Sequence, residues 1–109
     1  MILSNEPGYY REGAFGIRIE NLIVAQAAQV PEGGDSEREM LCWRNLTFAP
    51  IDKRLIVPEM LDAPSRAWLN AYHAETLEKI GPRVSEDARR WLQEACTPCL
   101  LYTSPSPRD

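Results

Sequence analysis

Two stretches of this sequence decide the predicted fold: Ser4-Asn5-Glu6-Pro7-Gly8-Tyr9-Tyr10 and, a few residues later, Gly16-Ile17-Arg18-Ile19-Glu20-Asn21. Pro7 restricts Glu6 to extended geometry and suits a turn with the glycine that follows it. From Phe15 onward the apolar residues alternate, so that Phe15, Ile17 and Ile19 share one face of a strand. We therefore expect two strand segments, each ending at a glutamate held by constrained backbone.

The rest of the first half is predicted to consist of strands and turns. Ile2 to Glu6 is a short strand candidate. The strand that begins at Phe15 is expected to continue through Leu22-Ile23-Val24, an apolar run typical of burial on both faces. Residues 31–39 have the composition of a loop, and Met40 to Phe48 is predicted to return as the second strand of a hairpin.

Two helices are predicted in the second half, after a connector interrupted by prolines. The first begins with Asp62 or Ala63 near its N-cap and ends at Gly81-Pro82. Ser85 is predicted to cap the second helix. Its apolar stripe at helical spacing comprises Ala88, Trp91, Leu92 and Ala95. Strands followed by a helical hairpin give the fold class α+β.

Composition excludes several classes of partner. The chain has 109 residues, 44% of them hydrophobic and 26% charged, as in an ordinary soluble domain. Its net charge of -4 offers no basic excess for nucleic acid. No apolar run approaches the roughly 20 residues that span a membrane, and no signal peptide is recognisable. Three cysteines in such a chain indicate a reducing compartment, here predicted to be the cytoplasm.

The composition changes abruptly at Cys99, where a Ser/Pro-rich run begins. Cys99 to Ser104 can be encoded by the transposon end that sequencing-library adapters use. We interpret 99–109 as a translated adapter, with a disordered tail as the alternative. The C-x-x-C spacing of Cys96 and Cys99, already a weak zinc signal, then loses its second member. At the other end, Met1 is interpreted as an internal methionine of a longer parent, or as the start of a truncated gene prediction.

A carboxylate on a strand of apolar residues needs a charged partner or a metal ion. Glu20 shares its strand face with Arg18 in an otherwise apolar stretch, and an unpaired charge there is costly to bury. The pattern alone leaves two interpretations open. One is an exposed ion pair between Arg18 and Glu20, worth under about 1 kcal/mol. The other is a metal-ligating carboxylate.

The two opening stretches resemble the last two metal-ligand motifs of the pita-bread metallopeptidases, and more narrowly those of the Xaa-Pro aminopeptidases. The resemblance extends to Glu12-Gly13-Ala14-Phe15, to Leu46-Thr47-Phe48-Ala49-Pro50-Ile51-Asp52 and to Trp68-Leu69-Asn70-Ala71-Tyr72-His73, and so covers residues 1–98. It implies the C-terminal strands of a catalytic domain in 1–48 and a helical C-terminal extension in 49–98. The whole is expected to be the C-terminal part of a pita-bread fold.

The resemblance also implies a chemistry. Members of this family hold two divalent ions, commonly Mn2+, and hydrolyse the bond that precedes a proline in the second position of a peptide. Glu6 matches the first of two glutamate ligands and is expected to move a proton as a catalytic residue. Glu20 matches the second, which bridges both ions. Arg18 and Tyr10 match a hydrogen-bond network that orients the ligands.

The pattern is incomplete, and this keeps alternatives open. Two Asp ligands and a His ligand of the family have no match in 1–98, so the chain alone is expected to bind metal weakly and to hydrolyse nothing. His73, the sole histidine, is predicted to pack or to form hydrogen bonds rather than to bind metal. The alternatives are a creatinase-like hydrolase, a non-catalytic pita-bread binding protein, or a free-standing binding module.

The expected partner surfaces follow from the same family. The implied partner is a peptide substrate with proline in the second position. A homodimer through the C-terminal extension is a further expectation of the resemblance. Three aromatic residues are candidates for that interface or for packing of the helices: Trp68, Tyr72 and Trp91.

Overall fold

The computed structural model describes residues 1–99, and these form two compact units. The first unit is Met1–Thr47, and the second begins at Phe48. Most of the predicted adapter-derived tail, residues 100–109, lies outside the described residues. Cys99, which the sequence interpretation placed in that tail, is buried and exchanges two hydrogen bonds with the side-chain amide of Asn70.

The first unit consists of antiparallel strands. They are β1 (Ile2–Asn5), β2 (Gly8–Arg11), β3 (Phe15–Arg18), β4 (Asn21–Ala28) and β5 (Met40–Asn45). One sheet has the order β1-β4-β5, and a second contains β2 and β3. The predicted hairpin between the long strand and the strand that starts at Met40 is therefore present as β4 and β5.

The long strand predicted from Phe15 to Val24 is interrupted at Ile19 and Glu20, and this part of the prediction was wrong. The cause lies on the neighbouring strand. Ile19 donates its N–H to the carbonyl oxygen of Pro7 at 3.1 Å, but Pro7 has no N–H to return. The ladder therefore loses one hydrogen bond at this point, and the regular pairing ends on both sides of it.

The burial predicted for the apolar run in β4 is also wrong. Leu22 is 43% exposed, and Ile23 and Val24 are only half-buried. Residues 1–47 form strands and loops, with no helix in this unit to cover a face of the sheet. Within those residues, Asn21 is the one that is buried, at 3% exposure.

The second unit begins with two short 3-10 turns, Lys53–Leu55 and Pro58–Met60, and continues into two helices. Helix α1 spans Ala63–Ile80 and helix α2 spans Glu86–Ala95, joined by the 3-10 turn Gly81–Arg83. The capping predictions are confirmed. Asp62 accepts the Ser65 N–H at 2.8 Å, and Ser85 accepts the Ala88 N–H at 3.2 Å.

The core of the second unit is small and partly polar. Helix α1 buries one stripe, which consists of Leu69, Tyr72, His73 and Thr76. In α2 the predicted four-residue stripe is wrong. Leu92 is buried, but Ala88 is exposed, Ala95 is half-buried and Trp91 is 64% exposed. The buried partner of Leu92 is instead Cys96, one turn further along the chain.

Among the described residues, no helix is long and apolar enough to cross a membrane.

Candidate metal-binding carboxylate pair

Glu6 and Glu20 lie directly opposite each other on paired segments of chain. Asn5 pairs with Asn21 on one side of the strand break, and Gly8 pairs with Arg18 on the other. Both pairings keep the same offset, so the residues between them remain aligned. The Ile19 N–H bond to the Pro7 oxygen continues this alignment through the break.

The hydrogen-bond pattern makes this a close pair. Ala25 bonds to Met1, and Ile19 bonds to Pro7, so in these two strands the bonded pairs fall at odd-numbered positions. Glu6 and Glu20 therefore form a pair without backbone hydrogen bonds between them. In antiparallel sheets, the side chains of such pairs approach more closely than those of bonded pairs.

Alternation places the predicted site residues on a single face of these strands. Side chains two residues apart point to the same side of a strand. On one chain segment this face carries Ser4, Glu6, Gly8 and Tyr10, and on the paired segment it carries Gly16, Arg18 and Glu20. The structure thus brings together all four residues that the sequence nominated.

Arg18 contacts both carboxylates. Its Nε donates to Glu20 Oε1 at 2.8 Å and lies 3.9 Å from Glu6 Oε2. Ser4 Oγ donates to the other oxygen of Glu20 at 3.4 Å. Because these three charged side chains are 41 to 50% exposed, the contacts orient the groups without contributing much to folding.

The ring of Tyr10 lies along the strand face because the two neighbouring positions on that face are glycines. A methyl group added at Gly16 would be 2.8 Å from Tyr10 Cδ1, and one at Gly8 would be 2.6 Å from Tyr10 Oη. The interaction of Arg18 with the nearby Tyr10 side chain and with the charge of Glu20 raises the pKa of Arg18 above its ordinary value.

The donor set fits part of a divalent-metal site. Two carboxylates that face each other on one strand surface offer hard oxygen ligands, which Mn2+ and Mg2+ prefer. Within residues 1–99, no group of three or more His, Cys, Asp or Glu side chains comes together. Within the described residues, the pair would therefore offer two ligand groups to an ion.

Sequence reasoning missed a row of amides on the opposite face of the same strands. Asn5 Nδ2 donates to Asn21 Oδ1 at 3.3 Å, and Asn21 Nδ2 donates to Asn45 Oδ1 at 2.9 Å. The available signal was the asparagine next to each glutamate, at positions 5 and 21. The row could not be predicted from these two positions, because its third member, Asn45, is far away along the chain.

The remaining candidate groups of the sequence lie elsewhere. His73 is fully buried in the second unit, where its Nε2 accepts the Ile51 N–H at 2.9 Å. Burial lowers the pKa of His73, and the positive charge of Lys53 adds to this effect. Cys42, Cys96 and Cys99 are all free thiols. Burial raises the pKa of Cys96, which disfavours the reactive thiolate.

Comparison with known proteins decides the family. Residues 39–99 match the family model described as the C-terminal region of peptidase_M24, a match that includes more than half of the chain. The chain belongs to the M24 peptidase family. The resemblance to Xaa-Pro aminopeptidases predicted from the two glutamate motifs is thereby confirmed, and the relatives described next agree with it.

Two relatives of this M24 chain are typical. It is 41% identical over 101 residues to a probable Xaa-Pro aminopeptidase P of Laccaria bicolor, and 43% identical over 95 residues to aminopeptidase P2 of Arabidopsis thaliana. These alignments include 90% and 84% of the chain but 15% and 13% of the relatives. The chain thus spans about one seventh of the length of these relatives.

A solved structure agrees with the fold. The crystal structure of X-prolyl aminopeptidase from Caenorhabditis elegans, titled a cytosolic enzyme with a di-nuclear active site, matches with a TM-score of 0.78 and 33% identity. The match includes 90% of this M24 chain and 16% of the nematode enzyme. The predicted fold class, the C-terminal part of a pita-bread fold with antiparallel strands followed by helices, is confirmed.

Proposed function

We propose that this chain supplies two carboxylate ligands, and the residues that orient them, to the two-metal site of an Xaa-Pro aminopeptidase. The observation that carries the proposal is the pairing of Glu6 with Glu20 on one strand face, with Arg18 Nε 2.8 Å from one carboxylate and 3.9 Å from the other. The family match and the di-nuclear active site named for the nematode enzyme support it.

The carboxylates of Glu6 and Glu20 would hold the ions, and the proposed metal is Mn2+. When bound, such ions lower the pKa of coordinated water and polarise a carbonyl oxygen. The donor chemistry suits this choice, since carboxylate oxygens are the preferred ligands of Mn2+. The proposed substrate is a peptide with proline in the second position, and the proposed compartment is the cytoplasm.

Each residue on the site face has a task in this proposal. Arg18 neutralises part of the repulsion between two adjacent carboxylates and holds Glu20 by its 2.8 Å hydrogen bond. Tyr10, which lies near Arg18 on this face, helps to orient the guanidinium in turn. Glu6, which Arg18 approaches less closely, carries a proton toward the leaving imino nitrogen of the substrate.

A homodimer through the second unit is part of the same proposal. The exposed indole of Trp91 supports it, because aromatic residues are enriched in protein interfaces. Tyr72 does not support it, since this ring is buried against Trp68, with the two rings stacked 5.3 Å apart.

The experiment uses a protein extended upstream to include the remaining ligands, assayed on an X-Pro-X peptide in Mn2+. Glu20→Gln keeps the size of the side chain and removes its charge, and we expect a loss of at least about a thousandfold in kcat/KM. Glu12→Gln removes a charge from the turn of the same hairpin and serves as the matched control. It should retain the activity of the unsubstituted enzyme.

Three outcomes would contradict the proposal. Activity retained in Glu20→Gln would remove this residue from the chemistry. Hydrolysis of creatine, or an inert protein that still binds peptides, would favour the creatinase-like or non-catalytic alternative instead.

A further inference from the structure

Three asparagines on three strands form a continuous row of side-chain hydrogen bonds, the asparagine row. It runs from Asn5 on β1 through Asn21 on β4 to Asn45 on β5, with donor–acceptor distances of 3.3 and 2.9 Å. Asn21, the central member of the row, is 3% exposed. The other residues of 1–47 are half-buried or exposed. A buried polar side chain in this position requires an explanation.

The asparagine row lies directly beneath the carboxylate pair. Asn5 precedes Glu6 and Asn21 follows Glu20, and adjacent side chains on a strand point to opposite faces. Each glutamate thus has an asparagine as its neighbour along the chain, and the side chains of these two asparagines are hydrogen-bonded to each other. Side-chain bonding here reinforces the pairing at the place where Pro7 has removed a backbone bond.

The third member extends this connection to β5. Asn45 lies opposite Ile23, diagonal to Asn21, and Leu46 donates its N–H to Leu22 at 2.8 Å in the same region. Asn45 falls inside the segment that matches the M24 C-terminal model, whereas both glutamates precede it. The row thus ties the strand that carries Glu20 to a part of the chain far away in sequence.

An amide is suited to this place for a physical reason. Its oxygen accepts from one neighbour while its nitrogen donates to the other, so one side chain fixes the strands on both sides. An apolar residue could fill the same space but would form no hydrogen bonds to orient the neighbouring side chains. A carboxylate would lack the N–H donor. Removing one partner would leave a buried polar group unsatisfied.

We propose that Asn21 is a positioning residue, which through the asparagine row holds Glu6 and Glu20 side by side in the geometry that binds a divalent ion. This inference rests on the proposed role of the two glutamates as metal ligands. Asn21 itself does not touch the ion. It acts through the backbone that carries each glutamate.

The test measures Mn2+ binding by the full 109-residue chain without any catalytic assay. In the 15N-labelled protein, substoichiometric Mn2+ should broaden the amide signals of Glu6 and Glu20 before those of an acidic residue of the second unit such as Asp87, which is paired with Arg90. Mg2+ serves as the diamagnetic reference. Glu20→Gln should abolish the selective broadening, and if it does not, the proposed function fails whatever the asparagine variants do.

The decisive variants are at Asn45, which is not one of the proposed ligands and reaches the carboxylate pair through Asn21. Asn45→Leu removes the acceptor of Asn21 and should raise the Mn2+ concentration needed for the same broadening by at least about fivefold, the factor for the loss of a single hydrogen bond. Asn45→Asp keeps an acceptor for Asn21 and adds a negative charge that attracts a cation, so it should bind Mn2+ at least as tightly as the unsubstituted chain. Gln26→Leu removes the contact to Cys42 near the other end of the same strand pair and should change nothing.

The inference is overturned if folded Asn45→Leu broadens at the Mn2+ concentration of the unsubstituted chain while Glu20→Gln has lost the effect. Equal weakening in Gln26→Leu would also overturn it, because the effect would then be general loosening of the sheet. If Asn45→Leu does not fold, Asn21→Ser replaces it. This variant stays polar but cannot reach both neighbours, and the same criterion applies.

Discussion

At the scale of single residues, the site depends on the absence of a side chain at two glycines, Gly8 and Gly16. The ring of Tyr10 passes over Gly16 at its base and over Gly8 at its hydroxyl end. Both glycines sit in ordinary strand conformation, so their value here is space rather than backbone freedom. A side chain at either position would compete with Tyr10 for the surface that leads to Arg18.

Gly16→Ala should therefore destabilise the first unit although alanine is favoured over glycine in strands. The new methyl group would be 2.8 Å from Tyr10 Cδ1, near the base of the ring, so the ring must turn away from its place or the strand must shift. We expect a loss of about 1 kcal/mol in the free energy of unfolding, from overpacking that exceeds the gain in strand preference. Urea unfolding measures it.

A double-mutant cycle provides the control. In a Tyr10→Ala background the same Gly16→Ala change should cost nothing or stabilise the unit, because the clash is gone. An equal cost in both backgrounds would show that the ring does not need the space above Gly16.

A second prediction concerns His73, the sole histidine of the chain. Its Nε2 accepts the Ile51 N–H at 2.9 Å, and only the neutral ring can do so. Burial holds the pKa of His73 below its ordinary value of 6.5. The unfolded chain thus takes up the proton first as pH falls, so stability is complete above about pH 6.5 and declines below it.

The measurement is the urea midpoint of the second unit at pH 7.5 and pH 5.5. The midpoint should fall over this interval in the unsubstituted chain, and the fall should disappear in His73→Gln, which keeps an acceptor but does not titrate. A midpoint independent of pH in the unsubstituted chain would contradict the burial of a neutral imidazole.

At the scale of elements, local sequence signals predicted the helices well, whereas contacts between residues distant in the sequence were not predicted. Asp62, Ser85 and Gly81-Pro82 act on the residues next to them, so the ends of α1 and α2 could be found from the sequence. The break in the long strand could not, because its cause is Pro7, twelve residues before Ile19. For the same reason the sequence nominated Glu6 and Glu20 by resemblance but missed the asparagine row.

Lys53 is another long-range contact that the sequence did not reveal. Its ammonium group donates to the carbonyl oxygens of Glu94 at 3.3 Å and Thr97 at 2.6 Å, at the C-terminus of α2. The last carbonyls of a helix have no partner within it, and the helix dipole favours a cation there. A residue from the connector thus completes the end of a helix 41 positions later in the chain.

Lys53→Met should lower the free energy of unfolding of the second unit by about 1 kcal/mol, since the methylene stem is kept and only the charged donor is lost. Arg54→Met is the matched control on the next residue, whose ion pair with Asp52 is exposed. Chemical denaturation should resolve the two. Equal effects would mean that α2 does not depend on the lysine contact.

At the scale of the whole molecule, the two units differ in how much they bury. All of the described residues that are buried lie in the second unit, with the exception of Asn21. Large apolar side chains of the first unit, among them Tyr9, Phe15 and Trp43, remain about half or more exposed. Burial of apolar surface is the main contribution to stability, so the first unit is held mostly by its backbone ladder.

Native-state hydrogen exchange should show this difference directly. In the isolated chain, amides of β1, β2 and β3 should exchange well before those in the middle of α1, because local opening costs least where few apolar contacts are lost. Protection of β1–β3 equal to that of α1 would contradict the assignment of stability to the second unit.

The pairing of Glu6 with Glu20 makes the length of one short loop as important as the two carboxylates. Between Arg11 and Phe15 the chain turns through Gly13 at φ 72°, closed by the Ala14 N–H bond to the Arg11 oxygen. A homologue that gained or lost a single residue there would keep both motifs in its sequence. With the pairing shifted by one, however, one glutamate would point to the other face of the sheet. Counting the residues between the two motifs is therefore as informative about a relative as finding the glutamates.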